Sequence, residues 1–217
     1  MIPIREKKEI MLFNRIPVMI QDKPNYDVEE ITASLQKTIP VSLVRELDYV
    51  IVGDSEYLNE RDLDSVYLDG VIYMSPEIED TEEALLTMVH EVAHSVEENF
   101  PQIYADETIE TEFIGKRIKL MQILKSQDIE TTGHDFVSTE YDEKFDDFLY
   151  LQVGYPRLRT LTSGLFMSPY ATTSVREYFA DAFEEYFLRD PMGVKLMAPA
   201  VYYKIEELLE ALGERFI

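Results

Sequence analysis

The chain contains no cysteine. That excludes disulfides, thiol nucleophiles and thiolate metal ligands. Basic residues are scarce: 20 Lys and Arg stand against 43 Asp and Glu, for a net charge of −23. Nucleic acid and anionic membrane both require basic surface, so they are poor partners. A neutral or basic polypeptide would be drawn in, although the acidity equally serves solubility or a salty habitat. No stretch approaches the roughly 18 apolar residues of a membrane helix. Met1 to Glu9 lacks an apolar run of signal-peptide length. These absences lead to the expectation of a soluble protein, cytoplasmic or associated with a phage or virion rather than exported by a standard signal. Repeats, low-complexity runs and Gly/Ser linkers are absent too.

What is present supports a real core. The chain has 217 residues, 46% of them hydrophobic, which fits one domain with two lobes around a cleft. Histidine is rare, with three in all. Two of them stand in His90-Glu91-Val92-Ala93-His94. This stretch lies inside a segment, Asp80 to Asn99, that reads as one helix. Asp80 and Glu83 have the spacing of a capping box. Leu85, Met88, Val89, Val92 and Val96 recur at helical steps and form an apolar stripe. His90 and His94 fall opposite the centre of that stripe, one turn apart, so their imidazoles point the same way. Such a pair can hold one zinc ion, and Glu91 beside them can act as base for the water it activates.

The remaining chain reads as follows. Ile10 to Ile20 is a strand with an irregularity at Pro17. Val28 to Thr38 is a helix stopped near Pro40, and Val41 to Leu47 continues as another turn. Tyr49 to Gly53 is a buried strand, and Glu56 to Asp64 a charged loop or short helix. Val66 to Ser75 forms two strands around Asp69-Gly70, a strong hairpin signal. Val71 to Met74 is offered as the cleft edge to which an extended substrate adds. Ile103 to Ser126 is a second long helix, with Ile109, Phe113, Ile114, Ile118, Met121 and Leu124 or Ile123 inward. Gln127 to Glu140 is loop, Tyr141 to Leu151 has helical spacing, and Gly154 to Pro169 carries turns and short β-like pieces.

Ser174 to Leu188 is the second informative stretch. Val175, Tyr178, Phe179, Ala182, Phe183, Tyr186 and Phe187 make one amphipathic seam. Glu177 and Asp181 lie off that seam, one turn apart. Like charges at this spacing repel by a few tenths of a kcal/mol. A cation nearby removes that cost; so does solvent, if the pair is simply exposed. Pro191 then interrupts, and Val201 to Leu212 is a closing helix with Ile205, Leu208, Leu209 and Leu212 inward.

Tyr170, Glu177, Tyr178, Phe179, Ala180, Ala182 and Phe183, downstream of the His90–His94 motif, resemble the catalytic domain of anthrax lethal factor and its relatives, the clostridial Pro-Pro endopeptidases among them. The resemblance covers roughly residues 70 to 99 and 165 to 217. It implies an α+β zincin-like peptidase of the gluzincin kind. A small twisted sheet would pack on the HExxH helix within residues 1–99. A mainly helical lobe, 100–217, would carry the Glu ligand. It further implies His90, His94 and Glu177 as zinc ligands, Glu91 as general base and Tyr170 as hydrogen-bond donor to the oxyanion. Asp181 would fix His90 through its other ring nitrogen. The acid after the ligand Glu is commonly Glu in that family, and here it is the shorter Asp181. The stretch from His94 to Glu177 is also longer than the family's, and its extra residues, within Pro101 to Gly164, would cover or reshape the cleft.

Alternatives stay open in the sequence. Asp106, Glu107 and Glu110 follow the motif at distances that other zinc families use for a third ligand. His134 is excluded as an extended-motif ligand, because positions 97 and 100 are Glu and Phe. Three functions fit: a zinc endopeptidase acting on a polypeptide substrate, a catalytically silent binding or structural module of a larger assembly, and a toxin-like effector peptidase.

Overall fold

The computed structural model describes residues 8–61 and 63–214. The stretch read for export signals, Met1 to Glu9, therefore lies mostly outside the described residues. The chain is α+β. It divides into two compact units, the first ending at Phe100 and the second beginning at Pro101.

The first unit is built on a five-stranded sheet. Its elements are β1 (Lys8–Leu12), β2 (Ile16–Ile20), α1 (Val28–Thr38), β3 (Tyr49–Val52), α2 (Glu56–Arg61), β4 (Ser65–Leu68), β5 (Val71–Met74) and α3 (Thr81–Asn99). The strand order is β1-β2-β3-β5-β4. The three inner strands run parallel, and β1 and β4 pair antiparallel at the edges. Val18, Val50, Val52 and Ile72 are fully or almost fully buried on these strands. Helices α1 and α3 pack on each other, and α3 also packs on β4 and β5.

Asp69 and Gly70 turn the β4–β5 hairpin at φ 46° and 83°, as the Asp-Gly signal predicts. The expected strand Ile10 to Ile20 is instead a hairpin, because the chain reverses at Phe13 and Asn14, both at φ 53°. Phenylalanine rarely occupies that region, so Phe13 masks the turn and Asn14 is its one compositional signal. Pro17 sits opposite Met11 of β1, and pairing with β3 begins only at Val18, so the missing N–H breaks no ladder. The expectation that Val71 to Met74 forms a free edge is also corrected. β5 is held by β3 on one side and β4 on the other, and among the described residues β4 is the edge strand beside it.

The second unit is helical among the described residues. It comprises α4 (Thr108–Ser126), α5 (Glu143–Asp147), a π-helical turn over Phe148–Val153, α6 (Tyr155–Leu161), α7 (Val175–Leu188), α8 (Pro191–Met197) and α9 (Pro199–Ala211). The predicted helix from Ile103 is split into a short 3₁₀ turn, Pro101–Tyr104, and α4, because Glu107 takes a left-handed φ of 58° between them. The β-like pieces expected after Gly154 are α6, launched by Gly154 at φ 83° with Pro156 in the first turn. Pro191 likewise opens α8 instead of merely interrupting.

On α4 the buried face includes Lys116 and Arg117, where Ile114, Ile118 and Met121 were expected; those three are half-buried. Lys116 Nζ donates to the carbonyls of Leu165 and Met197, and burial pulls its ammonium down to about 8. The Arg117 guanidinium donates to Ser138 O and Asp135 O, both at 2.7 Å, and lies 3.9 Å over the Phe145 ring. These bonds fasten the 127–142 loop to α4.

Replacing Arg117 by Met removes two charge-assisted bonds to the carbonyls of Ser138 and Asp135. The expected loss is roughly 2–4 kcal/mol, read as a drop in melting temperature on the order of 10 °C. An unchanged melt would mean the loop is held by its aromatic contacts and by the Val175 N–H bond to Thr139 O.

Candidate metal centre

The motif helix starts where the capping pattern puts it. Asp80 Oδ1 accepts the Glu83 backbone N–H at 2.9 Å. Met88, Val89, Val92 and Val96 are buried to within 1%, whereas Leu85 is only half-buried. With that stripe against the unit's core, the roll of α3 about its axis is fixed. His90 and His94 therefore stand on one side, both half-buried, their ring centroids 5.0 Å apart and nearly perpendicular.

Two carboxylates between and beyond the histidines are buried as well. Glu91 is 6% exposed and accepts a hydrogen bond of 2.5 Å from Ser65 Oγ at the start of β4. Glu97 Oε2 lies 2.8 Å from His94 Nδ1. Among the described residues these are the acidic side chains that are buried. In a chain with 43 acidic residues that selectivity matters. A buried carboxylate is costly unless it is hydrogen-bonded or faces positive charge.

In the second unit, α7 begins at Ser174, whose hydroxyl accepts the Glu177 N–H at 3.2 Å. Val175, Tyr178, Phe179, Ala182, Phe183, Tyr186 and Phe187 are buried, as the seam predicts. Glu177 and Asp181, one turn apart, are half-buried on the other side. Tyr178, next to Glu177, is committed elsewhere: its hydroxyl donates to Glu112 Oε1 at 2.7 Å, and burial pushes its pKa far up. Tyr170 opens a 3₁₀ turn, Tyr170–Thr172, and its carbonyl accepts from the backbone and hydroxyl of Thr173.

His90, His94 and Glu177 form a group that could hold a metal ion, each offering one ligand atom within 4.8 Å of the others. Two nitrogens, one carboxylate oxygen and no sulfur form a donor set that suits zinc with one position left open. Of the alternative third ligands, Asp106 has its carboxylate engaged elsewhere. Asp106 Oδ2 pairs with Lys204 Nζ at 2.7 Å, and Oδ1 accepts from Thr108, which together lower its pKa. Glu107 makes the left-handed turn into α4. Burial raises the Glu110 pKa. His134 stacks on Phe148 at 3.9 Å. A cavity of about 660 Å³, lined by Ile10, Ile20, Asp22, Tyr26 and Glu29 among others, has no histidine in its wall.

Sequence reasoning missed Ser65 and Glu97. Ser65 carries no local signal, because its contact is across 26 residues. Glu97 carries one: an acid three residues after the second histidine shares its helix face. No family model, characterised protein or solved structure matches the chain.

Removing the Ser65 hydroxyl leaves the Glu91 carboxylate short of its donor. Ser65→Ala should cost roughly 1–3 kcal/mol in urea unfolding, with Ser65→Thr close to wild type. Equal stability of the Ala variant would show that this bond contributes nothing.

Proposed function

We propose that the chain is a zinc-dependent endopeptidase with a zincin-like fold of the lethal factor kind. The observation that carries this reading is the His90, His94 and Glu177 group, with Glu91 set between the two histidines on their helix. The two buried carboxylates of α3 support it, since a nearby divalent cation offsets the cost of burying them. When bound, zinc supplies Lewis-acid activation of water and of the scissile carbonyl.

The side chains then have distinct tasks. His90, His94 and Glu177 hold the ion. Glu91 takes the proton of the attacking water and delivers it to the leaving nitrogen, so the cleaved amine departs neutral. Ser65 holds one oxygen of Glu91 and so restricts the carboxylate's rotation. Tyr170 donates its hydroxyl to the developing oxyanion, a kind of contact whose loss typically costs about 10²–10³ in rate. Asp181 orients His90. As an edge strand among the described residues, β4 is available for an extended polypeptide to pair with, and it carries Ser65. With a net charge of −23, the protein favours basic over acidic peptides.

Three measurements test this. Glu91→Gln should retain zinc and lose peptide hydrolysis; equal turnover in both proteins would remove Glu91 as base, and no turnover in either would leave a silent binding module. Glu177→Ala should lower zinc affinity strongly, as judged by metal content after dialysis. Unchanged content would return the third-ligand role to Asp106, Glu107 or Glu110. Mass spectrometry of a cleaved peptide library should show enrichment of Lys and Arg around the scissile bond; enrichment of Asp and Glu would contradict the electrostatic argument.

A further inference from the structure

Glu97 has no task in the chemistry above, yet it is one of two buried acids among the described residues. Its neighbour Glu98 is exposed, so burial at position 97 is not a general property of this turn. The side chain is 4% exposed and that of His94 12%, with Nδ1 to Oε2 at 2.8 Å. The pair is three residues apart on one helix, so the contact forms as soon as α3 does.

That contact has a directional consequence. A carboxylate accepts only, so the imidazole must donate to it, and the proton must sit on Nδ1. The lone pair then resides on Nε2, at the opposite edge of the ring. We infer that Glu97 is the positioning residue of the metal centre: it fixes the tautomer and rotation of His94 so that Nε2 is the coordinating atom. The inference rests on the metal reading given above. It is distinct from the role given to Asp181, which concerns the other histidine. A carboxylate on Nδ1 also makes the ring a stronger donor to a cation, and loss of such partners typically lowers metal affinity about 10–100-fold. A neutral, apolar residue at position 97 would keep the helix and its burial but leave the ring free to rotate or to present Nδ1 instead.

The test uses the full chain and zinc alone. Zinc affinity is measured by chelator competition for wild type, Glu97→Gln and Glu97→Ala. Melting of the metal-free proteins serves as a check on folding. In parallel, two-bond ¹H–¹⁵N spectra of the zinc-loaded wild type report which His94 nitrogen carries the proton. The expected result is protonated Nδ1 and zinc-bound Nε2 at His94. The Ala variant should lose about 10–100-fold in affinity while still folded. The Gln variant, whose amide oxygen still accepts, should lose less. Wild-type affinity in a folded Ala variant would overturn the inference, as would zinc on His94 Nδ1, while leaving the metal centre standing. If the variants do not fold, the wild-type spectrum alone decides. Failure of the wild type to bind zinc would instead overturn the metal reading, and this inference with it.

Discussion

The placement of the imidazoles depends on the roll of one helix. Met88, Val89, Val92 and Val96 turn a single face of α3 into the core of the first unit. Burying each such side chain contributes roughly 1.5–3 kcal/mol, so rotating the helix by even one residue would be costly. His90 and His94 inherit their direction from that packing. Nothing in their own chemistry sets it. The hydrophobic effect has no directionality, yet here it aims two imidazoles, because side chains on a helix are locked to its axis.

Charge is handled in opposite ways in the two units. Most of the 43 acidic residues stay in solvent, where they cost little. In the first unit, Glu91 and Glu97 are taken inside, where Ser65 donates to Glu91 and His94 lies against Glu97. In the second, the buried charges are positive. Lys116 and Arg117 use backbone carbonyls of distant segments as acceptors, and so tie those segments to α4. The bonds of Lys116 and Arg117 to backbone carbonyls are why we read that arrangement as structural.

Much of this was legible in the sequence. The 3.6-residue periodicity gave α3 and α7 with their buried faces, and Asp69-Gly70 gave the β4–β5 hairpin. The pairing of His90 with His94 follows from spacing alone. What was illegible depends on non-local pairing or on unusual backbone. The β1–β2 turn was hidden because Phe13 occupies a left-handed conformation. The status of β5 as an inner strand depends on which strands flank it, and pairing order is not written in any one segment. Lys116 and Arg117 do not figure in the inward face that apolar spacing marks out, because periodicity cannot anticipate carbonyls waiting at the far end of a long side chain. Glu97 was readable and overlooked, since one acid among many draws no attention until its burial is known.

The central claim is that two imidazoles and one carboxylate share a single zinc ion. X-ray absorption at the zinc edge of the loaded protein tests it most directly. The account predicts a first shell of nitrogen and oxygen near 2.0–2.1 Å, with the multiple-scattering pattern of two imidazole rings. A shell of oxygens alone, or one with a single imidazole, would contradict it.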